Sequence, residues 1–215
     1  MANHVHFTIQ VQGIEDEQFN SQVKWEKRTI KDWNGNDMEV NQIVELEEQP
    51  FMDVGEKLYT EQGWMENSYD WYCDNVGAKW CHIDEMQDGY ITGYSAWRQP
   101  HEMVLNILEH FANKYNTEVS GSMTYEDEFR NFMGKQYYGT VCGTVYDEDE
   151  VWSAWEGDYC ETDADELMVA FNELYPSIDT ESEDFDYYGE YKVDGETIYP
   201  NEVLDEIADK FWEDC

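Results

Sequence analysis

The chain has 215 residues, with 50 Asp and Glu against 12 Lys and Arg, giving a formal net charge of -38. Hydrophobic residues make up 41% and aromatics 16%, enough for a core, which excludes a disordered chain of low hydrophobicity and high charge. No run of about 18 apolar residues reads as a membrane span, and a charge of this sign excludes proteins that hold phosphate backbones or anionic membranes.

In chain order, residues 4–12 read as a strand with Val5, Phe7, Ile9 and Val11 on one face and His4, His6, Thr8 and Gln10 on the other. Residues 23–30 and 38–46 form a hairpin about Asn34-Gly35-Asn36. Tyr90 to Trp97 is a further strand. Pro100 opens the strongest helix, whose stripe is Met103, Val104, Ile107, Leu108, Phe111, Ala112 and Tyr115. Strands follow at 118–125 and 137–146. Thr162 is expected to cap a helix over 163–175, with Asp163, Asp165 and Glu166 favourable at its N-terminal dipole and Leu167, Met168, Phe171 and Leu174 inward. A hairpin about Asp194-Gly195 joins 187–193 to 197–199. Pro200 begins a last helix with Val203, Leu204, Ile207, Ala208 and Phe211 inward. Strands joined mostly as hairpins, with separate helices, predict an α+β fold with an antiparallel sheet.

The first residues lack the basic-then-apolar plan of a signal peptide, so a cytoplasmic location is expected. The five cysteines are odd in number and contain no CxxC pair, so free thiols are expected.

Charge is not spread evenly. Residues 147–215 hold 25 acidic residues and only two basic ones, Lys192 and Lys210, together with twelve aromatics. An unstructured acidic tail is poor in aromatics, so this third is expected to fold. A compact chain of this length has a diameter of roughly 45 Å, over which duplex DNA carries about 26 charges. The excess charge is therefore of the order carried by an equal length of DNA.

Asn75-Val76-Gly77-Ala78-Lys79-Trp80 resembles the Asn-Trp-Gly-Thr-Lys-Trp motif of the YubB-type ferredoxin-like domain family of phages and plasmids. Ser95-Ala96-Trp97-Arg98-Gln99-Pro100 is similar to that family's Thr-Ala-Trp-Ser-Pro-Pro, between a strand and a helix. Tyr125-Glu126-Asp127-Glu128 and the stretch to Gly139 resemble its next strand and connection. The resemblance covers about residues 4–146 and implies a ferredoxin-like sheet with helices on one face and a mobile-element origin, without implying a chemistry. The expected organisation is a ferredoxin-like domain with a hairpin insertion over 1–146 and an acidic helix-hairpin-helix extension packed on it over 147–215.

Catalytic and metal patterns are weak. There is no GxSxG, P-loop or GxGxxG. Among 50 acids, two neighbouring carboxylates carry no information about acid/base work. Cys73, Cys81, His82, Cys142 and Cys160 lack the paired spacing of a zinc site, and His4 and His6 share a face as ordinary polar residues do. Asp179, Glu181, Glu183 and Glu190 fall at EF-hand positions 1, 3, 5 and 12, but Asp184 stands where glycine is required. Asp32-Trp33-Asn34-Gly35-Asn36 begins a similar loop and lacks the terminal acid. No cofactor, metal or catalytic residue is expected.

What remains is the acidic surface. One cluster is Asp147, Glu148, Asp149 and Glu150; another is Glu181, Glu183, Asp184 and Asp186; Asp158, Glu161, Asp163, Asp165 and Glu166 interleave. Carboxylates spaced like phosphates would fill a cationic groove, with Trp152, Trp155, Tyr187 and Tyr188 as apolar anchors. The expected function is noncatalytic mimicry of DNA charge: a phage-type inhibitor that binds a basic host nucleic-acid-handling protein and contacts neither nucleic acid nor membrane directly. The alternatives are a phage accessory protein that binds a host protein through an aromatic surface, its acidity serving solubility, and a metal-dependent enzyme.

Overall fold

A computed structural model of the chain describes residues 3–21, 23–31, 37–46, 68–144 and 150–215. Six strands form one antiparallel sheet: β1 (His4–Gln12), β4 (Cys81–Gln87), β5 (Tyr90–Ala96), β6 (Ser120–Asp127), β7 (Met133–Thr144) and β8 (Glu150–Thr162), in the order β4-β5-β1-β6-β7-β8. Between β1 and β4 come a short helix α1 (Asp16–Asn20), the separate antiparallel pair β2 (Val23–Lys31) and β3 (Asp37–Leu46), and α2 (Ser68–Asn75). The proposed turn at 34–36 lies outside the described residues. Helix α3 (His101–Tyr115) links β5 to β6. The chain is therefore α+β, as its hairpin-type links predict.

The main core lies between the sheet and α3. Val5, Phe7, Ile9 and Val11 point inward from β1 as their alternation requires, and Met103, Val104, Ile107, Leu108, Phe111 and Ala112 meet them from the apolar stripe of α3. Burying each large side chain of that stripe contributes about 1.5–3 kcal/mol. Asn116 ends α3 in the left-handed conformation, its N–H returning to the Ala112 carbonyl, a stop that Asn tolerates.

Helices α1, α2 and α3 share the main core on one face of the sheet, and the C-terminal layer covers part of the other face, a placement the sequence does not specify. The second layer is α4 (Ala164–Leu174), the short hairpin β9 (Tyr191–Val193) and β10 (Glu196–Ile198), and α5 (Pro200–Asp214). Its core gathers Leu167, Phe171, Ile178, Ile198, Leu204 and Ala208 around Met133. Met133 is paired with Glu126, so it stands on the face opposite α3. This layer covers Met133, while Val141 farther along the same face of β7 stays exposed.

Three further differences from expectation have local causes. The 146/147 division falls in the connection between β7 and β8, and β8 extends the main sheet by pairing with β7 from Met133↔Thr162 to Thr144↔Glu150. The N-cap of α4 is Asp163, which accepts from the Glu166 N–H at 2.9 Å, while Thr162 donates its hydroxyl to the Glu166 carboxylate at 2.9 Å. Both residue types cap well, so sequence alone separates them poorly. Finally, Cys160 and Cys215 form a disulfide, with Cα atoms 6.1 Å apart, so only Cys73, Cys81 and Cys142 are free thiols. Docking α5 on the sheet brings together two cysteines 55 positions apart, a proximity that spacing does not reveal.

No helix among the described residues is long and apolar enough to cross a membrane.

Candidate functional site

The acidic residues divide between β8 and the second layer. Asp147, Glu148 and Asp149 lie outside the described residues, and Glu150 opens β8. Asp158 and Glu161 are exposed on the same strand. Glu161 accepts the Tyr125 hydroxyl at 2.6 Å, which fixes its carboxylate. Asp163, Asp165 and Glu166 form the first turn of α4, where a helix dipole favours negative charge. Glu181, Glu183, Asp184 and Asp186 are exposed on the loop between α4 and β9.

That loop is ordered by its own polar contacts. Asp179 accepts from the Glu181 N–H at 3.2 Å, Ser182 from the Asp184 N–H at 3.2 Å, and Asp186 from the Tyr188 N–H at 3.0 Å. The Tyr191 hydroxyl accepts the Asp186 N–H at 2.7 Å. Of the EF-hand-like carboxylates, Asp179 serves a turn within the loop and Glu190 pairs with Lys192 at 2.8 Å. Among the described residues no three His, Cys, Asp or Glu side chains are grouped to hold a metal ion.

The four expected aromatic anchors behave differently. Trp155 is 51% exposed and lies over Gly139, its ring filling the space where a Cβ would stand. Tyr188 is 77% exposed and packs edge-on to Tyr187. Tyr187 is half-buried beside a groove of about 440 Å³ that also touches Met168, Arg130 and Asp205. Trp152 is no exposed anchor. It packs against the main core, and its indole Nε1 donates to Asn116 Oδ1 at 3.0 Å. On β8, residues 152 and 154 face α3 whereas 155, three positions from 152 in an unbroken stretch of pairing, faces away, so the two tryptophans part company.

Two features emerge only in the folded chain. The exposed side of α5 carries Glu202, Glu206, Asp209 and Glu213, a helical row whose successive members rise about 4.5–6 Å along the axis. Its i, i+4, i+7, i+11 spacing is legible once the helix is assigned. Arg130 is the second feature. In the β6–β7 turn at φ +53°, it reaches Glu126 at 2.9 Å and Asp205 at 2.7 Å, tying α5 to the sheet. Burial opposes its charge, but the two carboxylates outweigh that and hold its pKa above the ordinary value. The turn is built on buried Asp127, which accepts from the N–H groups of Phe129 and Asn131 and from Asn131 Nδ2.

The two motif segments 75–80 and 95–100 meet in space. The Ala96 N–H donates to the Trp80 carbonyl at 3.0 Å, the Met103 N–H to the Val76 carbonyl at 3.3 Å, and Lys79 Nζ lies 4.3 Å from the centre of the Trp97 ring. Gly77 adopts φ +86° between them, and an added Cβ would crowd the backbone of Glu102 and His101.

No family model, curated protein or solved structure matches the chain.

Proposed function

We propose that this chain is a noncatalytic, phage-type protein that binds a basic host nucleic-acid-handling protein in the cytoplasm by offering carboxylates in place of phosphates. The observation that carries the reading is the acidic layer's framework. Its outward carboxylates on α4, the following loop and α5 hang from a core of their own, bound to the sheet through Met133 and the Arg130–Asp205 ion pair. Fixed carboxylates need no ordering when a cationic cleft closes on them, whereas a flexible tail would oppose binding with its entropy. A ferredoxin-like core of the YubB type is supported by the strand order, in which β1–α2–β4 and β5–α3–β6 interleave as split β-α-β units.

A host protein captured on the chain is expected to bind duplex DNA itself, to be displaced by that DNA, and to elute as ionic strength rises. Replacing Glu202, Glu206, Asp209 and Glu213 by Gln or Asn, and likewise the acids at 181–186, should abolish capture. A partner retained by these variants, or one indifferent to salt, removes the reading. The second reading, an aromatic docking surface with acidity for solubility, is favoured by the exposure of Trp155 on the same face of the β7–β8 pair as exposed Val141 and Val151. In that case Trp155→Ala loses the partner while the carboxamide variants keep it.

A further inference from the structure

The seam between the two layers opens into the groove of about 440 Å³, lined from the β6–β7 turn by Glu128, Phe129 and Arg130 and from the second layer by Met168, Tyr188 and Asp205. That volume lies within the range of small-molecule sites. Two of its walls are uncovered aromatic rings. Phe129 is 66% exposed in the turn, and Tyr188 is more exposed still on the loop before β9. Their backbones are fixed: the Phe129 N–H donates to Asp127 Oδ2 at 3.1 Å, and the Tyr188 N–H to Asp186 Oδ1 at 3.0 Å. Neither ring belongs to either core, and large rings held in the open beside one cleft mark a contact site.

The lining stays negative after its own cation is counted. Arg130 lies in the wall, but Glu126 at 2.9 Å and Asp205 at 2.7 Å already hold its guanidinium. Glu128 is the third carboxylate of the lining, and its partner is the His4 imidazole, 3.5 Å away. Three carboxylates against one guanidinium repel an anion and suit a cation. The floor is apolar: Leu167 and Leu204 line it and are buried in the second layer's core. A cation on an aliphatic stem fits such a combination, because the stem covers apolar surface while the charged head stays at the rim.

We propose that this groove receives an arginine side chain of the basic partner, its guanidinium on the rings of Phe129 and Tyr188 and against the Glu128 carboxylate, its methylenes on Met168 and the apolar floor. Arginine suits these walls better than lysine. Its planar guanidinium stacks on aromatic faces and meets a carboxylate with two parallel donors, whereas an ammonium is a compact, strongly hydrated point charge. Anchors of this kind, an arginine in an aromatic-walled pocket, dominate the energetics of interfaces. In a protein that handles nucleic acid the same arginine would hold a phosphate. The groove therefore gives the acidic surface a point of register that dispersed charge lacks. This rests on the partner-binding role proposed above and names the side chain that anchors it.

NMR titration of the full chain at physiological salt with the peptide acetyl-Gly-Arg-Gly-amide tests the proposal, with the lysine and citrulline peptides of the same frame as comparisons. The arginine peptide should saturate one site and shift the amides of residues 126–130, 187 and 188. The lysine peptide should bind about threefold more weakly, and the citrulline peptide, which keeps the shape without the charge, should not saturate. Phe129→Ala and Tyr188→Ala should each weaken the arginine peptide about fivefold, with melting temperature unchanged because both rings are exposed, and Glu128→Gln should weaken it about tenfold. Carboxamide substitutions at Glu202, Glu206, Asp209 and Glu213, none of which lines the groove, should leave peptide binding unchanged while abolishing capture of a DNA-binding partner. Shifts that spread over the acidic surface without saturating, equal binding of the lysine or citrulline peptide, or alanine variants that bind like the parent chain overturn the proposal. A DNA-binding partner captured equally well by Phe129→Ala and Tyr188→Ala also overturns it and leaves the charge-mimic reading standing. Saturable arginine-peptide binding at these residues with no DNA-binding partner captured removes that reading and leaves the groove a guanidinium site.

Discussion

Asn113 on α3 closes both outward backbone groups of Trp152 on the edge strand β8. Its Nδ2 donates to the Trp152 carbonyl at 2.8 Å, and its Oδ1 accepts from the Trp152 N–H at 2.8 Å. The amide side chain stands where a neighbouring strand's peptide group would be. An exposed edge invites pairing with another chain, so this contact also guards against association. Asn113→Ala leaves two strand groups unpaired and should cost roughly 1–2 kcal/mol, lowering the melting temperature by about 2–8 °C for a domain of this size. Hydrogen exchange should accelerate at Trp152 first. An unchanged melting temperature and unchanged exchange would show that water replaces Asn113 without loss.

The bridge from Cys160 to Cys215 closes a loop with a sequence separation of 55. Chain-entropy arguments assign a loop of that length about 4 kcal/mol. Reduction, or Cys160→Ser, should therefore lower the melting temperature, and the loss should begin at the end of α5, where the Tyr137 hydroxyl donates to the Cys215 carbonyl at 3.3 Å. Alkylation under denaturing conditions before and after reduction should differ by two thiols. A cytoplasmic pool would hold the pair reduced, so capture of a partner should survive reduction if the outward carboxylates of α4 and its loop carry it.

How far the fold can be read from sequence follows the range of the forces involved. The stripe of α3 and the alternation of β1 are local periodicities, and both helices starting near prolines lie within a residue of their expected positions. Met133 shares its face of β7 with Lys135, Tyr137 and Val141, and Val141 stays exposed, so hydropathy along the strand does not announce a second layer. Trp152 and Trp155 are three apart on one strand, so alternation sets them on opposite faces, but which of them meets α3 depends on how β8 pairs with β7. Trp97 is held at φ +68° by bonds to Asn3 and within residues 95–98, so no propensity reports it. At the acidic surface the residue types were legible, but their division among turn bonds, caps and free carboxylates depended on tertiary placement.

A net charge of -38 opposes compaction by self-repulsion. Few ion pairs among the described residues offset it, the clearest being Arg130 with Glu126 and Asp205 and Lys192 with Glu190 at 2.8 Å. Salt should therefore stabilise the protein. Raising ionic strength so that the screening length falls from about 30 Å to about 8 Å should raise the melting temperature by several degrees. Partner capture should weaken over the same range. A fall in melting temperature with salt would mean that ion pairs outweigh repulsion.

Alkali should destabilise the core through groups whose protonated form is favoured by folding. Burial, with a smaller contribution from Cys81, pushes Tyr72 up to about 12. Burial raises Tyr138 further, and burial followed by the hydrogen bond to Glu161 raises Tyr125. The Cys81 thiol is also raised by burial, then by Asp84. In the unfolded chain a thiol titrates near about 8.5 and a phenol near about 10. A folded pKa above the unfolded one means that the folded state holds its proton more tightly, so the stabilisation is complete below the unfolded pKa. It is lost as pH rises through the interval up to the folded value. Melting temperature should accordingly hold to about pH 8 and fall from about pH 9 onward, steepening above about pH 10. Tyr125→Phe should lower stability at neutral pH by about 1 kcal/mol through the lost bond to Glu161, yet show a shallower decline in alkali than the parent chain. Equal alkaline slopes for the two proteins would locate the pH sensitivity elsewhere.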